Sequence, residues 1–172
     1  TDSPFRVLKI SAVTSGQFKP HESKPLPPDY EPPSSHLVRS ADLLMSRANT
    51  TELVGAVAYV DVTPPNLALP DKVWRFDWKL EAEPIFYHAL LSTPTMRRRI
   101  SQLSSGTGGS MKNVSKAKLV TMPIPDVAVS RQRAFVARAS QVNAKRQLML
   151  SASAADSKLF ASLQSRAFRG EL

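Results

Sequence analysis

The last quarter of the chain constrains its fold most. All fourteen prolines lie at or before Pro125, and no glycine occurs between Gly109 and Gly170. The stretch from Asp126 to Arg169 therefore lacks both strong helix breakers, and it is rich in Ala, Arg, Gln, Leu and Met, which favour helix. One helix is predicted from about Ser130 to about Phe168, roughly 60 Å long at the usual rise per residue. The ~125 residues before it would form a globule with a radius of gyration near ~14 Å. A helix of that length outruns its own domain, so part of its apolar face needs another surface. A heptad register through Phe135, Ala139, Val142, Arg146, Met149, Ser153, Asp156, Phe160, Leu163 and Ala167 keeps one face, apolar at both ends and small and polar in the middle; Phe135, Ala139, Val142, Met149, Phe160, Leu163 and Ala167 are the expected helix–helix interface. The small residues Ser151 to Ala155 would let another helix approach closely.

With 172 residues the chain can hold one domain with a core plus such an appendage. No apolar run approaches the ~20 residues of a membrane span. The absence of cysteine excludes disulfides and thiolate metal sites, and fits a cytoplasmic protein. The net charge of +9 is unevenly spread. Residues 1–83 carry nine basic and eleven acidic side chains, residues 84–125 six basic and no acidic ones, and residues 126–172 eight basic and three acidic ones. A basic middle segment beside a mildly acidic one fits a polyanion on one face, and also a plain solvated surface.

Along the chain, Arg6 to Ile10 alternates like a strand. Residues 19–36 hold six prolines and read as a long extended loop. Asp42–Ser46 and Val54–Val60 read as buried strands. Val73–Trp78 alternates apolar and charged residues, as a half-buried strand does. The period then changes. Pro84 opens one helix, and a second runs from Pro94 to about Leu103, with Thr93 as N-cap and Met96, Ile100 and Leu103 on one face. Ser104–Ser110 reads as a Gly/Ser/Thr loop, and Lys118–Met122 as a strand stopped by Pro123-Ile124-Pro125. The expected fold class is α/β (α+β): a mixed-sheet domain followed by one long C-terminal helix built for antiparallel helix–helix packing.

Candidate chemistry is sparse. His21, His36 and His88 have no metal-ligand spacing, so no metal or cofactor is expected. The run Ser104–Lys112 suggests a phosphate loop, but Lys112 is followed by Asn113 rather than Ser or Thr, and the element before it reads as a helix. No carboxylate pair is spaced for acid–base work, and no serine sits in a nucleophile elbow. The chain reads as non-enzymatic. Arg97-Arg98-Arg99 lie on a short helix, where successive residues diverge by about 100°, so one or two at most can face a common partner.

The C-terminal run Lys158-Leu159-Phe160-Ala161-Ser162-Leu163-Gln164-Ser165-Arg166-Ala167-Phe168-Arg169-Gly170-Glu171-Leu172 closely resembles the end of a type I restriction–modification specificity subunit. Ala41-Asp42-Leu43-Leu44-Met45-Ser46-Arg47 is similar to that family's Gly-Asp-Leu-Leu strand, with Ala41 in place of the usual glycine. Ser105–Lys118 followed by Val120-Thr121-Met122-Pro123-Ile124-Pro125 resembles its Gly-rich loop and proline exit. The usual Glu-Gln after that exit is represented at best by Arg131-Gln132. The opening Val7–Gly16 also fits the middle of such a domain.

The resemblance implies a DNA target-recognition domain at residues 1–127, lacking its natural start, and a conserved spacer or dimerisation helix at residues 128–172. Specificity subunits carry two such pairs. Their helices pack antiparallel and space the half-sites of a split target, while methyltransferase and restriction subunits do the chemistry. The chain corresponds to about half of that arrangement, and a C-terminal fragment and a natural half subunit both remain open. The implied partners are double-stranded DNA, methyltransferase and restriction subunits, and a second copy through the helix; no membrane is implied.

Sequence-reading residues vary within this family, so DNA-contact candidates follow from charge and loop position: Arg47, Asn49, Arg97, Arg98, Arg99, Thr107, Lys112, Asn113 and Lys116. Arg or Lys can address guanine, and Asn adenine. Two alternatives stay open: a recognition module of a type IIG or IIB restriction system, and a basic protein-interaction module that does not read sequence.

Overall fold

The structure, a computed structural model, describes residues 3–106 and 111–171. It has mixed α and β content, with small sheets and one long C-terminal helix. The chain divides into two units, Thr1–Val129 and Ser130–Leu172.

The first unit is built around strand β3, Leu43–Ser46, in which all four residues are buried. Side chains along a strand alternate between faces, and here both faces are core. Leu44 joins Leu8, Val13, Val38, Ala58, Val60 and Leu67 on one side. Leu43 and Met45 join Val54, Val57, Leu91, Met96, Ile100 and Val114 on the other. Burying each large apolar side chain of β3 contributes about 1.5–3 kcal/mol. β3 pairs antiparallel with β5 (Val57–Tyr59) and β7 (Val73–Arg75), with Leu44 opposite Ala58 on one side and Met45 opposite Trp74 on the other.

A second sheet holds β1 (Arg6–Leu8) between an antiparallel β2 (Ser23–Pro25) and a parallel β6 (Leu67–Ala68). The strand expected over Arg6–Ile10 is thus shorter, because a helical turn, α1 (Ser11–Thr14), begins at once and buries Ala12 and Val13. The Pro-rich stretch 19–36 is more than an extended loop. It supplies β2, where Pro25 stands at the end of an outer strand, and a single 3-10 turn at Ser34–His36. Arg75 ties that turn down: Nη1 donates to the Ser35 carbonyl at 3.0 Å, Nη2 to the Leu37 carbonyl, and Nε to Asp42 Oδ2 at 2.9 Å.

The helices α2 (Pro84–Ser92) and α3 (Pro94–Gln102) lie where the sequence places them, and Thr93 Oγ1 accepts from the Met96 amide at 3.4 Å, as an N-cap does. Two expectations fail after α3. Ser104–Ser105 is not loop but strand β8, because it pairs with β9 (Lys112–Val114), which in turn pairs with β4 (Ala48–Asn49). Lys118–Met122 is not a strand. Lys116–Val120 forms helix α4, whose Ser115 side chain accepts from the Lys118 amide at 3.4 Å; this cap and the apolar spacing of Leu119 and Met122 against the core outweigh the β-branched Val120. The strand expected from Val54 starts only at Val57, because Gly55 turns the chain with φ +74°.

Helix α5, Val129–Phe168, is 40 residues long and makes up most of the second unit. Every residue from Ser140 to Glu171 is exposed.

Two backbone positions generate predictions. Ala41 has φ +67°, a left-handed conformation that costs a Cβ-bearing residue roughly 1–2 kcal/mol. Ala41→Gly should stabilise the fold by about 0.5–1 kcal/mol in urea unfolding, part of the strain relief being offset by the freer unfolded chain. At Gly55 an added Cβ would lie 2.2 Å from Ile100 Cγ2. Gly55→Ala should cost about 2–4 kcal/mol in the same assay, through the left-handed φ and the clash with a fully buried isoleucine.

Candidate nucleic-acid interface

The acid-free segment 84–125 contains α2, α3, β8, β9 and α4, and its six cations all fall on three of them, α3, β9 and α4. The end of β3 positions this region. Arg47 links β3 to β4, and its carbonyl accepts from the Val114 amide at 2.8 Å, so the β4–β9–β8 sheet hangs directly on the central strand. α3 is clamped to the turn between β4 and β5. Arg97 Nη2 donates to the Glu52 carbonyl at 2.8 Å, Ser101 Oγ to the Thr51 carbonyl at 3.1 Å, and Ile100 fills the space over Gly55. One face of α3 is consumed in this way, and the arginine triplet splits accordingly.

Arg97 faces the protein. Burial pushes its guanidinium pKa down, and its buried Nη1 has no hydrogen-bond partner among the described residues. Arg98 is exposed. Arg99 is partly exposed and lines an open cleft between α3 and α4, where Lys118 faces the same space.

The other candidates divide between internal and outward roles. Arg47 donates to the Asp71 carbonyl at 2.8 Å and to Asp71 Oδ2 at 2.6 Å, and its guanidinium lies 5.8 Å from the centroid of Trp74. Asn49 Oδ1 accepts from the Thr50 amide at 2.8 Å, closing the turn after β4. Register places Asn49 opposite Lys112, and Asn113 between Ala48 and Ser105. Lys112 Nζ donates to the Gly106 carbonyl at 2.9 Å. Glycine is required at position 106, because a Cβ there would lie 2.4 Å from the Met111 carbonyl oxygen. Asn113 and Lys116 are exposed. Thr107 lies outside the described residues, as does most of the Gly-rich loop. Outward-facing cations are therefore Arg98, Arg99 and Lys116, joined by Lys118, which a strand reading of 118–122 hid. Ser115 was the available signal, since serine is a preferred N-cap.

Among the described residues no group of His, Asp or Glu could hold a metal ion, and no helix is long and apolar enough to cross a membrane. Phe135, Val142, Met149, Phe160 and Leu163 are exposed by 40–74%. Ala139 is partly buried and Ala167 exposed.

No protein-family model matches the chain. It is similar to the specificity subunit of the type I restriction enzyme EcoEI from Escherichia coli, with 30% identity over 119 residues, covering 69% of this chain and 20% of that protein. It is also similar to the specificity subunit of the type I restriction enzyme EcoKI from E. coli K12, with 28% identity over 176 residues, covering 96% of this chain and 37% of that protein. The chain thus spans between a fifth and two fifths of these curated relatives.

The split of the triplet is testable by stability alone. Arg97→Ala should lower unfolding free energy by about 1 kcal/mol, the worth of its bond to Glu52 and its packing over the Gly55 turn. Arg98→Ala should stay within about 0.5 kcal/mol of the parent. Urea denaturation of the two variants side by side reads the difference.

Proposed function

We propose that this chain is a DNA-recognition part of a type I restriction–modification system: one target-recognition domain, residues 1–127, and one spacer helix, residues 128–172. The similarity to a type I specificity subunit across 96% of the chain carries this reading. Two physical features agree with it. The segment 84–125 offers cations without competing carboxylates, which favours a polyanion. Helix α5 exposes large apolar side chains at heptad spacing, a surface that is stabilised by burial against another helix.

In this reading the domain recognises one half of a split target and contributes no chemistry. Arg98, Asn113 and Lys116, exposed around the β8–β9 hairpin and α3, are the side chains offered to bases or phosphates. Arg47, Asn49, Arg97 and Lys112 shape the surface through their internal bonds and keep those donors in place. Helix α5 pairs antiparallel with the equivalent helix of a second copy or of another half of the same subunit, and the pair sets the distance between half-sites. Two copies related by a two-fold axis would read a palindromic split sequence. Methyltransferase and restriction subunits dock on that frame and act on the DNA.

Selection of bound duplexes from a random pool should enrich one short defined sequence, and in the presence of a methyltransferase subunit two copies of it at fixed spacing. Equal retention of all duplexes, with no stable complex with the methyltransferase subunit, would overturn the proposal. The spacer role has its own readout. Light scattering should give a dimer for the parent chain, and a monomer when Phe160 and Leu163 are both changed to Asp, because two buried charges would oppose the apolar seam.

A further inference from the structure

The cleft between α3 and α4 has a composition that the recognition reading leaves unused. Its volume is about 320 Å³. Leu103 and Met122 give it an apolar floor, and Arg99, Lys118, Gln102 and Thr121 stand around it. Arg99 and Lys118 form no ion pair among the described residues, and the segment that contains both has no carboxylate to offer one. The contact recorded for the Arg99 guanidinium is Nη1 to Met96 Sδ at 3.8 Å, and a thioether is a weak acceptor that leaves most of its five donors unspent. Thr121 Oγ1 already donates to the Ala117 and Lys118 carbonyls at 3.2 and 3.1 Å, so it can only accept.

The geometry points to a phosphodiester subsite: Arg99 and Lys118 grip one backbone phosphate of duplex DNA, while the apolar floor receives the adjoining deoxyribose. Shape separates this from base reading. Base edges are recessed in the grooves and are reached by elements that protrude into them. A concave site with cations on its rim meets the ridge of the sugar–phosphate backbone instead. Such a contact positions the domain on the duplex without carrying sequence information. It also gives the three arginines separate roles, since Arg97 holds the fold, Arg98 faces outward, and Arg99 anchors the backbone. This inference rests on the DNA-recognition reading above.

The test uses the full chain carrying Arg99→Gln and Lys118→Gln together, each alone, and Lys24→Gln on β2 as a control, with thermal melting to check folding. Binding is measured against the selected duplex and an unrelated duplex across a salt series. The double variant should lose affinity for both duplexes by the same factor. Its slope of log affinity against log salt should be shallower by about 1, so the parent's advantage shrinks roughly three- to fourfold between about 50 mM and about 200 mM salt. Lys24→Gln should match the parent. A parent-like slope in a folded double variant, or a loss confined to the selected duplex, overturns the phosphate assignment and leaves the recognition reading standing. If Arg99→Gln impairs folding, Lys118→Gln alone decides: an equal loss of affinity for both duplexes is expected, and parent-like affinity for both, or a loss confined to the selected duplex, overturns the assignment. Failure of the parent to bind any duplex overturns both readings. Inorganic phosphate at constant ionic strength, followed by NMR of the Arg99 side chain, distinguishes the other source of the same chemistry. No saturable shift is expected; a saturable shift marks a free-anion site and overturns the duplex assignment.

Discussion

Burial of β3 on both faces is the interaction on which the first unit depends. A strand covered on one side can pair with neighbours and leave its other face polar. β3 cannot, because Leu44 is in one core and Leu43 and Met45 are in the other. The elements packed on that wall divide by side: β1, β6 and α1 on one, α2, α3 and β9 on the other. A polar side chain inserted at any of the three positions would be buried with no solvent route.

The candidate interface inherits its position from the same strand. β3 runs through Arg47 into β4, and β4 carries the small sheet that bears Lys112 and Asn113. α3 is held by a different device, the close approach of Ile100 to the backbone at Gly55, reinforced by hydrogen bonds from Arg97 and Ser101 to neighbouring carbonyls. A rigid support of this kind is what a recognition surface needs, since hydrogen-bond readout tolerates little displacement of the donor. Helix α5 presents the opposite case. Its residues satisfy their backbone bonds internally, and large apolar side chains from Val142 to Phe168 stay exposed.

Much of this is legible in the residues. The long helix follows from the absence of Pro and Gly, and α2 and α3 follow from first-turn prolines and the Thr93 cap. β3 is visible as a short apolar run, and Ala41 as the position where a related motif has glycine; its φ of +67° supplies the physical reason for that glycine. What was not legible depends on partners distant in sequence. β6 is two residues long and exists because β1 lies parallel to it. β8 and β9 are strands only because each completes the other and β4. Arg47, read from charge as an outward DNA contact, spends donors on Asp71, which no local pattern marks as its partner.

The sequence by itself determined the elements whose energetics are local: a 40-residue helix with no breaker, capped short helices, a basic segment without acids, and a resemblance carried by contiguous motifs. Tertiary structure alone decided which cations face outward. Charge is a property of composition, but its availability depends on whether a carbonyl or carboxylate from another part of the chain has been brought within about 3 Å. It turned Arg97 toward Glu52, closed Asp71 on Arg47, and by folding 116–120 as helix rather than strand set Lys118 beside Arg99 at one cleft.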